Sequence, residues 1–332
     1  VAIGNRSLRF NTFGYSNVAV GYNALYGNTT GKNNSAFGHN ALLYNIIGSS
    51  NVAIGFETLF SGVSGINSTA VGYQALRSST TGYNSAFGYR SLYLNTTGVD
   101  NTAIGNQTLR FNTIGKQNTA VGGAALFSNT TGDANSAFGY VALYANTIGL
   151  DNTAIGRVSL RFNTTGSYNT AVGRGSLYTN IVGSANVAVG VNALFYAVGN
   201  NNTAVGTNAL FNNTANNNSA FGYTSLYANT TGGSNSAFGY GSLKTNTIGN
   251  GNSAFGRGSL QSNTTGSNNT AFGMYSLINN TVGISNTAVG YLSLTANTIG
   301  AYNVAVGTQA LRNNTTGNNN VAFGYASLHL NT

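Results

Sequence analysis

One short motif is written twenty times in this chain, and that repetition limits what it can fold into more than any other feature. Aligned on Ala-x-Gly, the 332 residues give copies beginning at Ala2, Ala19, Ala36, Ala53, Ala70, Ala86, Ala103 and Ala120 and running on to Ala288, Ala305 and Ala322. The period is seventeen, with three spacings of sixteen ahead of Ala86, Ala204 and Ala220. Residues 1–332 therefore read as a single continuous array, expected to be a fragment of a longer one. Seventeen residues are too few for the helical repeats, which need more than about thirty for two helices and a turn.

Each column of the alignment has a physical reading. Ala, Gly and a Leu four residues after that Gly recur in all twenty copies, from Leu8 and Leu25 to Leu328. The residue between Ala and Gly is Phe eight times, Val eight times and Ile four times, a column of strand formers. The residue before Leu is always Ser, Ala or Thr, which predicts a second short extended segment carrying Leu. Gly closes the first strand and recurs in an Asn-Thr-Thr-Gly loop, where positive φ is cheap for it. Each copy is thus one coil, and the predicted fold is all-β, a β-solenoid or parallel β-roll of about twenty coils. At about 4.8 Å per rung such a stack extends roughly 95 Å. A lone coil buries too little apolar surface to offset its ordering entropy, so neighbours must share burial and ladder hydrogen bonds. Asn precedes the strand in eighteen of nineteen complete copies, with Ser68 the exception, and stacked amides can bond rung to rung.

A longer order overlies the coils. The residue between Ala and Gly reads Ile3, Val20, Phe37, then Ile54, Val71, Phe87, then Ile104, Val121, Phe138, and three Ile coils share Leu-Arg-Phe-Asn-Thr at Leu8, Leu109 and Leu160. Duplication of about fifty residues explains this; a spacing matched to a partner is the other reading.

Val1-Ala2-Ile3-Gly4-Asn5-Arg6-Ser7 resembles the Val-Ala-Ile-Gly-x-x-Ser signature of the head repeats of trimeric autotransporter adhesins (YadA-like), and Val52-Ala53-Ile54-Gly55 repeats its first half. Similar repeats occur in phage tail fibres and other extracellular fibres. The resemblance covers about seven residues of each copy and implies a left-handed parallel β-roll, trimerisation and a place outside the cell or on a virion surface. The Leu column and the Asn-Thr-Thr-Gly loop make the coil longer than that family's usual repeat.

Side chains alternate along a strand, so Thr and Val/Ile/Phe share one face while Ala and Gly share the other. With the large column turned inward, Leu8, Leu25, Val20, Phe37 and Ile54 form the core and a flat Ala/Gly strip lies outside. With Ala inward, eight Phe stand outside as an apolar stripe larger than a soluble monomer leaves bare. Both arrangements favour a homo-oligomer, either a trimer or an open filament. Neither end carries an atypical capping coil, as expected for an excerpt or for a unit that continues end to end.

Composition removes most chemistry. Charged residues make up 5% of the chain, and there is no Cys, Pro or Trp, so disulfides and thiolate metal sites are excluded. Glu57, Asp100, Asp133 and Asp151 are the only acids, and His39 and His329 the only histidines. They are too scattered for a clustered catalytic site, and no enzyme activity, cofactor or metal is expected. No apolar run approaches the length of a membrane helix, so no membrane span is expected, and any targeting segment would lie outside these residues.

The net charge of +9 admits binding of polyanions or cell-surface glycans. Arg9, Arg77, Arg110, Arg161, Lys244 and Arg312 share the column after Leu with aromatics that include Tyr26, Tyr93, Tyr144, Tyr178 and Tyr227, and further Tyr such as Tyr73 and Tyr223 follow the strand Gly. Interleaved basic and aromatic side chains can contact anions and stack on rings. Asn-Thr-Thr sequons at Asn28, Asn95, Asn129, Asn163, Asn229, Asn263 and Asn314 are candidate glycosylation sites. Other copies keep the Asn without the sequon, which a structural Asn ladder would explain equally. Ice binding through Thr is a further, weaker reading. The leading expectation is a structural subunit of an extracellular fibre or filament, with adhesion as an added role and a glycan-, polyanion- or ice-binding module as the alternative.

Overall fold

The structure is a computed structural model that describes residues 1–331. The chain is all-β, a β-solenoid in which each repeat forms one coil. It divides into two compact units, Val1–Tyr168 and the chain from Asn169 onward, each with ten short parallel strands among the described residues. Within the first unit Thr153, Ala154 and Ile155 pair in register with Ser136, Ala137 and Phe138. Within the second, Ser236, Ala237 and Phe238 pair with Ser253, Ala254 and Phe255. Every strand after the two-residue Ala2–Ile3 is three residues long, because the Gly that follows turns the chain sharply. Gly239 has φ of 136°, and a Cβ there would lie 2.6 Å from the carbonyl oxygen of Gly256 in the next coil, so the column is closed to any other residue.

The second extended segment does not form. After the strand Gly the chain runs through hydrogen-bonded turns, with Leu25 at φ of 52° and Leu226 at φ of 50°. A left-handed conformation is costly for a β-carbon-bearing residue. It is held here because Leu25 and Leu226 are fully buried and each Leu amide donates to the next coil, Leu25 N to Ala41 O at 2.9 Å and Leu226 N to Ser242 O at 3.0 Å.

The core differs from the expectation. Ala, at the middle of each strand, points inward and is fully buried from Ala19 to Ala305, and the Leu column faces it. Leu25 is core as expected, while Leu8, in the first coil, is half-buried. Val20 is half-buried, and Phe37 and Ile54 are 39% and 41% exposed, so these three are outward residues. The reason is width: Leu already fills the interior, and the wall opposite it must be small.

Two Asn ladders close the coil. In the column before the strand, Asn34 Nδ2 donates to Gly48 O at 2.8 Å, tying the coil's start to its loop, while Asn34 N donates to Asn17 Oδ1 at 2.9 Å in the coil behind. Ser68 replaces Asn with a weaker link, since Asn84 N reaches Ser68 Oγ only at 3.4 Å. In the loop column, Asn129 Nδ2 donates to Asn112 Oδ1 at 2.8 Å and to Gly132 O at 2.9 Å. These amides take the place that buried backbone partners hold in a wider sheet.

Candidate functional site

With Ala, Leu and Asn turned inward, whatever the molecule presents to others lies on its outward columns. One surface is the strand face, where the residues on either side of each buried Ala stand out from the coil. In the second unit Phe221, Phe238, Phe255 and Phe272 stack along it with ring centroids 4.6, 4.7 and 5.3 Å apart, and Phe272 is 56% exposed. In the first unit the same column carries Ile54, Phe87, Ile104, Phe138 and Ile155, all exposed.

The other surface is the turn face, running from the residue after the strand Gly to the residue after Leu. The column after Leu holds the basic and aromatic residues anticipated as ligand contacts, and they stack on one another. Phe10 meets Tyr26 edge-on at 4.9 Å, with the Arg9 guanidinium 5.6 Å from the Phe10 ring. Arg77 lies 4.7 Å over Phe60, Arg90 lies 5.3 Å from Tyr93, Arg110 lies 5.2 Å from Phe111 and 5.8 Å from Phe127, and Arg161 lies 5.1 Å over Phe162. Phe127 stacks on Tyr144 at 5.0 Å. In the second unit Tyr178, Phe195, Phe211 and Tyr227 form one stack with spacings of 4.7, 5.3 and 5.2 Å. Lys244 is exposed and Arg312 half-buried in the same column.

A ladder that the sequence reading missed stands beside it. Tyr22, His39, Phe56, Tyr73 and Tyr89 stack in the position after the strand Gly, with centroids 5.0, 5.4, 5.1 and 5.4 Å apart. The signal was present, since His39 and Phe56 occupy the column in which Tyr73 was noted. In the runs Tyr22 to Tyr89 and Tyr178 to Tyr227 the ring faces are turned to their neighbours along the stack, which leaves mostly edges for solvent there, whereas Tyr26, Phe60 and Phe127 also meet Phe10, Tyr44 and Phe111 edge-on.

Charge on the turn face is partly paired. Arg77 Nε lies 2.8 Å from Glu57 Oε2, which also accepts from Gln74 Nε2 at 2.9 Å. Burial pushes the Glu57 carboxyl up, but the hydrogen bonds from Arg77 and Gln74 and the charge of Arg77 outweigh it and hold the group below its ordinary value. Asp100, Asp133 and Asp151 lie on the loop corner instead, where Asp133 Oδ1 accepts from Lys116 N at 2.7 Å.

The glycosylation reading is corrected by burial. Asn28, Asn95, Asn129, Asn163, Asn229, Asn263 and Asn314 have no exposed surface, and the Nδ2 atom a glycan would need is engaged inside the coil, as in Asn28 Nδ2 to Asn11 Oδ1 and Gly31 O. A glycan on any of them would require opening its coil. Among the described residues no three His, Asp or Glu side chains come together as a metal cluster, and no helix is long and apolar enough to cross a membrane. The sequence matches no protein-family model and no curated protein.

Proposed function

We propose that the chain is a structural subunit of an extracellular fibre or filament that self-associates through its strand face. The observation that carries this reading is the outward stack of Phe221, Phe238, Phe255 and Phe272. Continuous apolar surface of this kind marks an interaction site, and a second copy offers the same column at the same rung spacing, so every ring finds a counterpart. The strand Ala column is buried and cannot serve as the interface, so of the two arrangements weighed from the sequence the one with Ala inward and Phe outward applies. The adhesin-like Val-Ala-Ile-Gly motif supports the same reading, since it places Val and Ile outward on that face. Ice binding is less favoured: no strand among the described residues carries two outward Thr, and Phe interrupts the face.

Sedimentation of the intact chain beside a Phe221/Phe238/Phe255→Ser variant tests the proposal. The parent should sediment as a trimer or larger assembly and the variant as a single chain with an unchanged circular dichroism spectrum. A parent that stays a single chain at micromolar concentration would remove the self-association on which the reading depends.

A further inference from the structure

Charge is segregated around the coil. In Val1–Tyr168, seven of the nine Lys and Arg residues lie on the turn face, against the single acid Glu57, whereas the loop corner has Lys32 and Lys116 against three Asp. In the second unit all four cations, Arg174, Lys244, Arg257 and Arg312, lie on the turn face, and there is no acid at all. So few charges in a chain this long would not concentrate on one face to serve solubility, which any exposed column would provide.

The cations are also held in place. Arg110 lies 5.2 Å from the Phe111 ring and 5.8 Å from Phe127, Arg90 is 5.2 Å from Tyr89 and 5.3 Å from Tyr93, and Arg257 is 5.6 Å from Tyr240 and 5.8 Å from Tyr275. Ring cover occupies the face of a guanidinium, and one N–H of Arg90 and of Arg110 is held by Gln74 Oε1 at 2.9 Å and Gln107 Oε1 at 3.2 Å; the remaining N–H groups are the ones that would pair with a planar anion. Rotamer freedom is reduced before any ligand arrives, which lowers the ordering cost of binding.

We infer that the turn face binds an acidic polysaccharide through these guanidinium edges. Two features favour that partner over a nucleic acid. Within the stacked runs, such as Tyr22 to Tyr89 and Tyr178 to Tyr227, most ring faces are covered by their neighbours, which leaves bases few stacking platforms there. The turn-face cations of the first unit fall in groups, Arg6 and Arg9 on the first coil, Arg77, Arg90 and Arg110 on the fifth to seventh, and Arg157 and Arg161 on the tenth, with about 15 to 20 Å between groups at the rung spacing. Duplex DNA is a stiff rod with a charge every ~1.7 Å of axis and cannot bend its phosphates to separated groups, whereas a flexible polysaccharide can adapt its carboxylate or sulfate groups to them.

The test measures binding of size-fractionated heparin to the full chain, with neutral dextran and an oligothymidine as comparisons. Two variants carry the same change in net charge: Arg110/Arg161→Gln on the turn face and Lys32/Lys116→Gln on the loop corner. Heparin should bind the parent and lose roughly three- to tenfold in affinity with the first variant, with a shallower dependence on salt, while the second variant stays within about twofold. An Arg110/Arg161→Lys chain, which keeps the charge but not the planar two-bond edge, should bind heparin at a level between the parent and the Gln chain, and it guards against misfolding of the Gln chain; full retention would reduce the site to net charge alone. Equal losses in the two Gln variants, no heparin binding, or tighter binding of oligothymidine than of heparin would each overturn the inference.

Discussion

The loop Asn ladder is broken where Gly62 takes the place of Asn, and the break has a measurable cost. Ser79 and Ala197 also interrupt the column, but where Asn follows Asn the amide nitrogen donates to the amide oxygen of the coil behind, as Asn112 Nδ2 does to Asn95 Oδ1 at 2.8 Å. At Gly62 there is no side chain to donate, and Asn45 Oδ1 is buried without a hydrogen-bond partner. Gly62→Asn should restore the donor. A Cβ at Gly62 would meet only ordinary contacts, 3.4 Å to Leu59 O and 3.5 Å to Ser79 O, and the new Oδ1 would face Ser79, whose hydroxyl can turn to it. A buried unsatisfied acceptor costs about 1–3 kcal/mol, so satisfying it should slow local opening by roughly 5- to 100-fold, at about 1.4 kcal/mol per factor of ten. Native-state hydrogen exchange reads this directly at the amides of Leu59 and Ser61, which donate to Ala75 O and Arg77 O across the same break. The reverse change, Asn112→Gly, should lower protection around Asn95 and Asn129 by a similar factor. Unchanged or reduced protection at Leu59 and Ser61 in folded Gly62→Asn protein would refute the view that the amide ladder, rather than Leu burial alone, sets coil stability.

Other outcomes follow from the same geometry. Gly239→Ala places a Cβ 2.6 Å from Gly256 O at positive φ and should lower the thermal midpoint sharply, with loss of more than about 2 kcal/mol; an unchanged melt would show that the corner can relax. Leu226→Ala empties a fully buried site and should cost about 2–5 kcal/mol in denaturant unfolding. The carboxyl of Glu57 is held below its ordinary value by Arg77 and Gln74 despite burial, so its contribution is present above the unfolded-state pKa and is lost as pH falls through the depressed folded value. Exchange protection near Phe56 to Arg77 should therefore fall with acidification in the parent and vary less in Glu57→Gln. Expression of the chain through a eukaryotic secretory route should leave Asn129 unmodified in folded protein, read by intact mass; a glycan there would contradict its burial.

The repeat made the solenoid legible because a fixed period, an invariant Gly and an invariant Leu leave few ways to stack. The Asn ladder was legible for a similar reason, since Asn persisted at positions where the sequon was lost. Side-chain direction was not legible. Alternation separates Ala from its neighbours but does not say which set faces in, and ordinary hydrophobic preference favours Phe37 and Ile54 over Ala36 and Ala53. Coil width decides it: Leu42 enters from a turn rather than from a strand, so the interior is only as wide as Leu and Ala together. That turn was itself hidden, because Leu with positive φ has no signature in a single copy. The stacking of His39 between Tyr22 and Phe56 escaped notice because their column mixes residue types, while the shared azimuth that brings them together appears only once the coils are in register.

Self-association through the strand face covers one side of the coil and spares the other, and the absence of Cys from the chain makes a single-thiol measurement of this clean. Ser236→Cys reports on the strand face and Ser262→Cys on the turn side, and maleimide labelling rates for each can be followed from dilute to concentrated protein. If strand faces pack against one another, Ser236→Cys becomes protected as the assembly forms, while Ser262→Cys continues to react. Equal labelling of both sites in the assembled protein, or protection of Ser262→Cys alone, would contradict it.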